Sequence, residues 1–253
     1  MFKNTVFVAA VAGLVLALAP AAPAGVVAEC NIDKDNIYVP AAMKTLYEGG
    51  SVAQFRLVFV TAGTYQAQSK DIATYNGYVT AAANGVPALL ALGTDWYVIG
   101  STSTVSAKSN TYTDTGTGYP VFRLDGAVVF KDYLQLWGGG SIENTICVDP
   151  NSIFVTTTGE VNTGTDEFGD VNNWVSGPYV GGGFGSVGGW TTRGHCIGFL
   201  DHRWINNAYD RLTSAQRLYG LSGVFTVVPE PATMALLGLG GLGMLLGRRR
   251  HRV

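Results

Sequence analysis

The chain has 253 residues, of which only 13% are charged, and 34 are glycine. Its apolar and aromatic content is ample for a folded core, so the composition excludes a disordered protein. The formal net charge is −2, and the body of the chain has no cluster of Lys and Arg, which argues against nucleic-acid binding.

The first 24 residues have the three parts of a secretory signal peptide. Lys3 precedes a run of apolar residues, and Ala22-Pro23-Ala24 forms an A-x-A cleavage site in front of Gly25. The sequence therefore predicts export, with cleavage by signal peptidase between Ala24 and Gly25. A retained membrane helix is the alternative, although about 13 apolar residues are few for a span.

Residues 25–50 are interpreted as an N-terminal lead, and residues 51–227 as one extracellular domain. Within this domain, residues 52–60 alternate apolar residues with Gln54 and Arg56, which predicts a half-buried strand with these two polar side chains on the solvent face.

Residues 71–85 predict a helix. Ile72, Tyr75, Val79 and Ala82 fall on one helical face, Asp71 or Ser69 can cap the start, and Gly85 can close the end.

The rest of the domain is predicted to consist of short strands. Two apolar runs within residues 121–130 are joined by Asp125-Gly126, which is typical of a hairpin with a type I′ turn. Further strands are predicted at residues 96–100, 133–137, 153–159 and 223–228. The glycine-dense residues 177–189 are interpreted as a loop. They lack the Lys-Ser/Thr and the strand–loop–helix context of a nucleotide-binding loop.

Three cysteines, Cys30, Cys147 and Cys196, imply one disulfide and one odd thiol in an oxidising compartment. Cys147–Cys196 is the preferred pair because both residues lie inside the domain, but spacing does not decide the connectivity.

Candidate metal ligands are few. His195-Cys196 and Asp201-His202 match no standard zinc spacing, so a disulfide cysteine with loop histidines is the favoured interpretation. Asp166, Glu167 and Asp170 could bind calcium through carboxylate oxygens, but they lack the alternating pattern of an EF-hand loop, which favours a solvated acidic turn. We therefore predict no metal and no cofactor.

Catalytic motifs are also missing. Residues 185–186 lack the strand-to-helix frame of a nucleophile elbow, and glycoside hydrolysis needs carboxylates at a defined separation across a cleft. The best candidates for such carboxylates are Asp166, Glu167, Asp170 and Asp201.

Aromatic residues in or beside the loops are the better candidates for a binding site, because exposed rings stack on sugar faces. The alternative is that each ring fills the core. The predicted ligand patch consists of Trp137, Trp174, Tyr179, Trp190 and Trp204.

Residues 228–253 combine Pro229-Glu230-Pro231, an apolar Gly/Leu run, and a cluster with Arg248, Arg249 and Arg250. An apolar helix over residues 232–247 would be about 24 Å long, which is short for a hydrocarbon core of about 30 Å. The segment resembles the PEP-CTERM sorting signal of Gram-negative bacteria. This resemblance implies transient anchoring in the inner membrane, processing by an exosortase, and release or transfer at the cell surface. Families with this signal are associated with exopolysaccharide and biofilm matrix.

The domain resembles exported C-type-lectin-like and endostatin-like domains. The segments that carry this resemblance are FRLVFVTAGTYQA, DIATYN, DWYVIGSTSTVSAKSNT, YPVFRLDGAVV, LQLWGGGSI, TTTGEVNTGT, NNWVSG and RWINNAYDRLTSAQRLYGLSG. The resemblance implies an α+β fold with mostly short antiparallel strands, one or two helices and long Gly-rich loops. An all-β sandwich is the alternative. The Glu-Pro-Asn, Gln-Pro-Asp and Trp-Asn-Asp motifs of calcium-dependent sugar binding are missing, so that activity is not carried over.

Together these observations predict an exported cell-surface or matrix protein with a non-catalytic binding or structural role. Its expected partners are signal peptidase, exosortase, the membrane before cleavage, and extracellular polysaccharide. The alternative is a secreted hydrolase of matrix polysaccharide or protein. A third possibility is a sorted protein whose domain binds a protein partner, which the sequence does not separate from the first.

Overall fold

The computed structural model describes residues 29–139, 141–157, 159–173, 175–176 and 179–228, with the backbone alone for 175–176 and 179–181. The predicted signal peptide, with Ala24 and Gly25, and residues 229–253 of the predicted sorting signal lie outside these residues. The helices are Ala41–Glu48 (α1), Ile72–Asn84 (α2), Pro87–Leu90 (α3), Ala107–Asn110 (α4) and Tyr133–Leu136 (α5), with a 3-10 turn at His202–Trp204. The strands are Glu29–Asp33 (β1), Gln54–Val60 (β2), Trp96–Val98 (β3), Val121–Arg123 (β4), Val128–Phe130 (β5), Glu160–Asn162 (β6), Val175–Ser176 (β7), Tyr179–Gly182 (β8), Trp190–His195 (β9), Ala208–Arg211 (β10), Tyr219–Ser222 (β11) and Val224–Val228 (β12).

In the described part of the chain, seven strands form one sheet with β2 at its centre. One edge of β2 pairs antiparallel with β11 and β12, and the other edge pairs parallel with β4, which itself pairs with β5. The outer edge of β11 pairs with β3, and the outer edge of β12 pairs with β1. Helix α2 packs on β3 and β11. The chain is therefore α+β, as predicted, with antiparallel pairing predominant in the described part.

Strand β2 is buried on both faces, which corrects the prediction of a half-buried strand. Phe55, Leu57 and Phe59 belong to a core cluster that includes residues of α2. Val58 and Val60 belong to a second cluster that includes residues of β5 and α5. Arg56 alternates onto this second face and is 0% exposed. The alternation was read correctly, but the second face is covered by other elements of the fold rather than by water.

Helix α2 is confirmed at Ile72–Asn84. The Asp71 carboxylate accepts a hydrogen bond from Ala73 N at 3.0 Å, which satisfies a backbone donor of the first turn. Gly85 is the C-cap residue. Tyr75 and Val79 are fully buried, and burial of such a side chain stabilises the fold by about 1.5–3 kcal/mol.

The β4–β5 hairpin is also confirmed, but its turn differs from the prediction. Gly126 N donates to the Arg123 carbonyl, Arg123 N donates to the Ala127 carbonyl, and Gly126 is the loop residue with a positive φ, 87°. A type I′ turn requires a positive φ at both central residues, so this loop is a type I turn followed by a left-handed glycine.

Two predicted strands are wrong. The segment 133–137 is not a strand, since Tyr133–Leu136 form helix α5. The Asp132 carboxylate caps this helix by accepting a hydrogen bond from Gln135 N at 2.7 Å. Among the described residues of 153–159, ladder pairing is limited to an isolated bridge between Phe154 and Val148, and the next strand begins at Glu160.

The other five strands among the described residues form a second sheet around β9, which pairs with β6, β8 and β10, while β7 pairs with β8. Strand β8 lies inside the glycine-dense segment 177–189 that was predicted to be a loop.

Residues 29–50 are part of the domain rather than a lead in front of it. Strand β1 pairs with β12 from Glu29↔Val224 to Asp33↔Val228, and Ile32 and Met43 are in the core. The boundary predicted at residue 51 therefore does not separate a folded unit.

Candidate functional site

A groove rich in aromatic and hydroxyl side chains lies between the loop 112–119 and helix α5. It consists of two adjoining cavities of about 400 Å³ and 350 Å³, which share Gly116 and Tyr133. We define the aromatic groove by its lining, which is residues 112–119, Tyr133, Leu134, Trp137, Gly138 and Phe168, with Lys108 at its rim. Its size suits one or two small polar units such as sugar rings.

The ring of Tyr133 packs directly on Gly118. Gly118 has a φ of 70°, and a Cβ atom at this position would overlap the Tyr133 ring. The Tyr133 backbone N–H donates to the Thr117 carbonyl at 2.9 Å, and its ring meets that of Tyr119 edge-to-face at 6.1 Å. The end of the loop is therefore held against α5 by backbone and ring contacts together.

Trp137 forms the other end of the groove. Its Nε1 donates to Thr113 Oγ1 at 2.8 Å, and its ring lies on Gly169, where a Cβ atom would be 2.6 Å from the ring. The indole is half-buried, and the neighbouring ring of Phe168 is 53% exposed. These rings offer apolar faces beside the hydroxyl groups of the loop.

The guanidinium of Arg56 lies beneath the groove and joins its two walls. Nη1 donates to the Thr111 carbonyl at 2.7 Å and to the Tyr133 hydroxyl at 3.3 Å, while Nε donates to the Ser222 carbonyl at 2.6 Å. Within the described residues, Nη2 has no hydrogen-bond partner. Burial lowers the pKa of Arg56 from its ordinary value, and the adjacent Tyr133 hydroxyl opposes that shift.

The charges near the groove are balanced. Lys108 Nζ pairs with Asp170 Oδ2 at 2.7 Å, and Asp114 is exposed on the loop. Behind the loop, the ring of Tyr112 meets that of Tyr97 at 5.3 Å, and burial raises the pKa of Tyr97 to about 12. The site therefore offers hydroxyl groups and rings rather than a concentrated charge.

The acidic turn uses its carboxylates in local contacts. Asp166 Oδ1 accepts from Phe168 N and Asp170 N at 2.9 Å, so it holds its own turn. Glu167 accepts from Asn206 Nδ2 at 2.8 Å. With Asp170 bound to Lys108, all three predicted calcium or hydrolase carboxylates have protein partners.

The other predicted acid and metal candidates are similarly engaged. Arg203 binds both Asp201 carboxylate oxygens, and this side-chain hydrogen bonding lowers the pKa of Asp201 to about 2. His195 Nδ1 lies 2.8 Å from the Ile197 carbonyl. No group of three or more His, Cys, Asp or Glu side chains with the arrangement of a metal site occurs in the described part of the chain.

The predicted aromatic patch is only partly placed in the groove. Trp137 lies there, whereas Trp190 is on β9 with the guanidinium of Arg211 over its ring at 5.7 Å. Trp204 is 1% exposed and packs against Phe130 in the core, so its assignment to a ligand surface is wrong. The predicted patch residues Trp174 and Tyr179 have side chains outside the described part.

Cys147 and Cys196 are adjacent in the core, as the preferred pairing requires, but both are free thiols. The Cys147 thiol contacts the Cys196 carbonyl oxygen. Hydrogen bonding to Cys196 lowers the pKa of Cys147, and the same contact together with burial raises that of Cys196. The predicted disulfide is therefore not present, although the residues are in place for it.

Sequence reasoning missed most of the groove. Tyr112, Tyr119, Tyr133 and Phe168 were not among the predicted site residues. The available signal was the segment YTDTGTGY, in which two tyrosines flank a loop of threonine and glycine.

Comparison with known protein families gives a match that begins in the last strand, β12, and continues into the residues after it. Residues 227–250 match the model of the PEP-CTERM protein-sorting motif. This segment is a PEP-CTERM sorting motif. The motif implies an exported protein that passes through a membrane and is processed by an exosortase, as predicted. Pro229, Glu230, Pro231 and Arg248–Arg250 all lie within the matched range.

A search of curated proteins found no match to the chain. Among the described residues, no helix combines the length and apolar character that a membrane span requires. The apolar run of the sorting motif lies outside those residues.

Proposed function

We propose that this exported protein binds extracellular polysaccharide through the aromatic groove and does not catalyse a reaction. The observation that carries the proposal is the juxtaposition of exposed or half-buried rings with a loop of threonine and glycine. Sugar rings have apolar faces that stack on aromatic side chains, and their hydroxyl groups bond to neighbouring polar groups. A PEP-CTERM sorting motif would deliver such a protein to the cell surface or to an exopolysaccharide matrix.

A predominantly neutral polysaccharide fits the groove best. Lys108 at the rim is neutralised by Asp170, and Asp114 is the acid of the loop itself. A strongly anionic polymer would find no unpaired surface cation among the groove residues to offset its charge.

The resemblance to C-type-lectin-like domains is consistent with this proposal. Strand β2, near the start of the domain, pairs antiparallel with β11 and β12 at its end, and α2 packs on the resulting sheet. The groove loop is an excursion between α4 and β4. A fold in which long loops leave a small sheet is suited to binding because the loops vary while the sheet keeps its shape.

The alternative, a secreted hydrolase, has weaker support. The carboxylates of Asp166, Glu167 and Asp170 lie in one turn, and each accepts a hydrogen bond or ion pair from the protein. A glycosidase needs two carboxylates facing each other across the substrate.

Affinity electrophoresis tests the proposal directly, with hydroxyethyl cellulose and dextran as neutral probes and alginate as an anionic probe. We expect Phe168→Ala to weaken retardation by a neutral probe about tenfold. The stacking of a ring contributes about 0.5–1.5 kcal/mol, and the apolar surface that the ring buries against the sugar adds to this binding energy. The matched control is Phe154→Ala, because Phe154 is 47% exposed but lies outside the groove.

Equal loss in both variants, or no retardation by any neutral probe, would overturn the assignment. Release of reducing ends from a probe by the wild-type protein, abolished in Glu167→Gln, would favour the hydrolase instead.

A further inference from the structure

The folded domain reaches the sorting motif without a linker. Strand β12 ends at Val228, which is paired with Asp33 of β1, and the matched motif begins at residue 227. Three residues, Pro229-Glu230-Pro231, separate the strand from the uncharged apolar run at residues 232–247. From Val228 to residue 232 the chain advances four residues, which span at most about 14 Å. While that run is in a membrane, the end of β12 is therefore within about 14 Å of the apolar run.

The part of the domain around the end of β12 carries exposed apolar side chains. Ile37 is 79% exposed, Val52 is 73% exposed and Leu46 is 41% exposed. We define the β12 corner by these three residues and Tyr47.

Backbone contacts place these residues beside the end of β12. Val227 N donates to the Ala53 carbonyl at 2.9 Å, next to Val52, and Ser51 N donates to the Leu46 carbonyl at 3.2 Å. A cavity of about 520 Å³ is lined by Tyr47, Val52 and Val227. Ile37 follows the turn that leaves β1 at Asp33.

Charged residues near this corner nearly balance each other. Lys34 pairs with Asp35 at 2.6 Å, and α1 carries Lys44 and Glu48 one helical turn apart, so that Asp33 leaves a net charge of −1 among these five residues. An apolar corner with so little net charge is suited to a zwitterionic lipid surface, because the headgroups of such a lipid carry no net charge that would strongly attract or repel it.

We propose that the β12 corner rests on the lipid surface while the sorting motif is in the membrane, and that cleavage of the motif ends this contact. The apolar contact is too small to hold the domain on a bilayer by itself. The short tether raises the effective concentration of the surface to the millimolar range or above, so weak contacts suffice. The domain is thereby oriented with the Pro-Glu-Pro segment at the membrane surface, in position for processing by the exosortase. Removal of the tether leaves the corner without sufficient affinity, and the domain departs.

The test uses the full chain reconstituted in phosphatidylcholine vesicles that contain a headgroup-linked quencher. In a Cys30→Ser background, one fluorophore is attached at Ser51→Cys, next to Val52 of the corner, and, in a second sample, at Val187→Cys. Val187 is 91% exposed and follows Gly185, whose backbone lies next to Ser69 and Lys70 beyond the opposite end of β2. We expect several-fold stronger quenching at position 51 than at position 187.

A flexible linker of ten Gly and Ser residues inserted between Val228 and Pro229 keeps the tether but relaxes its length. We expect this insertion, or the double variant Ile37→Glu with Val52→Glu, to reduce quenching at position 51 to the level at position 187. Equal quenching at the two positions in the unmodified chain would overturn the proposal. It is also overturned if strong quenching at position 51 requires an added exosortase, which would assign the corner to a protein partner.

Discussion

Arg56 on β2 donates a 2.7 Å hydrogen bond from Nη1 to the carbonyl oxygen of Thr111, the residue that precedes the groove loop. The same nitrogen reaches the Tyr133 hydroxyl on the opposite wall at 3.3 Å. A side chain that is 0% exposed thus connects both walls of a surface groove to the central strand of the sheet. The rigidity of the groove is therefore coupled to the core.

Replacement of Arg56 is expected to destabilise the protein and to loosen the groove. In Arg56→Met the carbonyls of Thr111 and Ser222 lose their buried donor, and each such loss destabilises by roughly 1–3 kcal/mol. We expect the free energy of unfolding to fall by about 2–4 kcal/mol in urea denaturation. Polysaccharide retardation should weaken under conditions where the variant is folded.

Arg217→Met is the matched control for that experiment. Arg217 also donates to two backbone carbonyls, those of Thr61 and Ala62, but it lies outside the groove. We expect it to leave retardation unchanged. A more stable Arg56→Met protein would contradict the prediction, because it would mean that desolvation of the buried charge exceeds the gain from its hydrogen bonds.

Gly118 and Gly116 have nearly the same φ angle but different surroundings, so substitutions at the two positions isolate the effect of a steric clash. Their φ angles are 70° and 74°, but a Cβ atom at Gly118 would overlap the Tyr133 ring, whereas one at Gly116 would meet only Gly118 N at 3.9 Å. Gly116→Ala should destabilise by about 1–2 kcal/mol, which is the penalty of the left-handed conformation. Gly118→Ala should destabilise by clearly more, as measured by urea denaturation. Equal losses would mean that Tyr133 is free to move away from the loop.

Ionisation of Tyr97 is expected to destabilise the fold at high pH. Burial raises the pKa of its phenol from 10.0 to about 12, and the neighbouring Asp95 adds to the shift. A raised folded-state pKa means that the folded protein holds the proton more tightly than the unfolded chain. The contribution of this pKa difference to the free energy of unfolding is complete below pH 10 and is lost as the pH rises through about 12.

Unfolding measured in urea between pH 9 and pH 12 checks this expectation. Tyr97→Phe should reduce the loss of stability over that interval, and the remaining loss should reflect other buried tyrosines such as Tyr133, whose pKa is also raised by burial. An unchanged pH dependence in Tyr97→Phe would show that Tyr97 ionises normally in the folded protein.

Oxidation is expected to join Cys147 and Cys196 after export. The two residues are 49 positions apart, fully or almost fully buried, and already in contact. Closing a loop of that length stabilises a protein by about 4 kcal/mol in the chain-entropy model. Intact mass of protein recovered from an oxidising compartment should rise by two hydrogens on reduction, and the melting temperature should fall.

Cys147→Ser is the control for the cysteine experiment and should abolish the mass change. A mass shift that persists in Cys147→Ser but disappears in Cys30→Ser would assign the bond to a different pair. Absence of any shift would mean that both thiols stay reduced.

Several elements of the fold were predictable because their signals are local. Helix α2 has its cap at Asp71 and its apolar face within a few turns, and the β4–β5 hairpin has Asp125-Gly126 at its turn. The prediction of a strand at 133–137 was wrong, because the apolar spacing of so short a segment is compatible with both a strand and a helix. The N-cap hydrogen bond from Asp132 favours the helix.

The burial of individual side chains could not be predicted from local sequence patterns. Arg56 and Trp204 were both placed at the surface by residue type and local pattern, yet each is covered by segments distant in the sequence. Trp204 packs against Phe130 and Tyr219, and Arg56 contacts Thr111, Tyr133 and Ser222.

The amino-acid sequence by itself determined that this protein is exported and processed by an exosortase, because a sorting motif is a continuous run of residues whose order alone defines it. Capping and apolar periodicity, which act over a few residues, also located helix α2, whereas the α+β class was predicted from a resemblance that left an all-β sandwich open. The tertiary structure alone decided the candidate site. The aromatic groove combines residues 112–119 with Tyr133, Leu134, Trp137, Gly138 and Phe168. They meet because β2, β4 and α5 pack into one core, in which the guanidinium of Arg56 is buried beneath the groove.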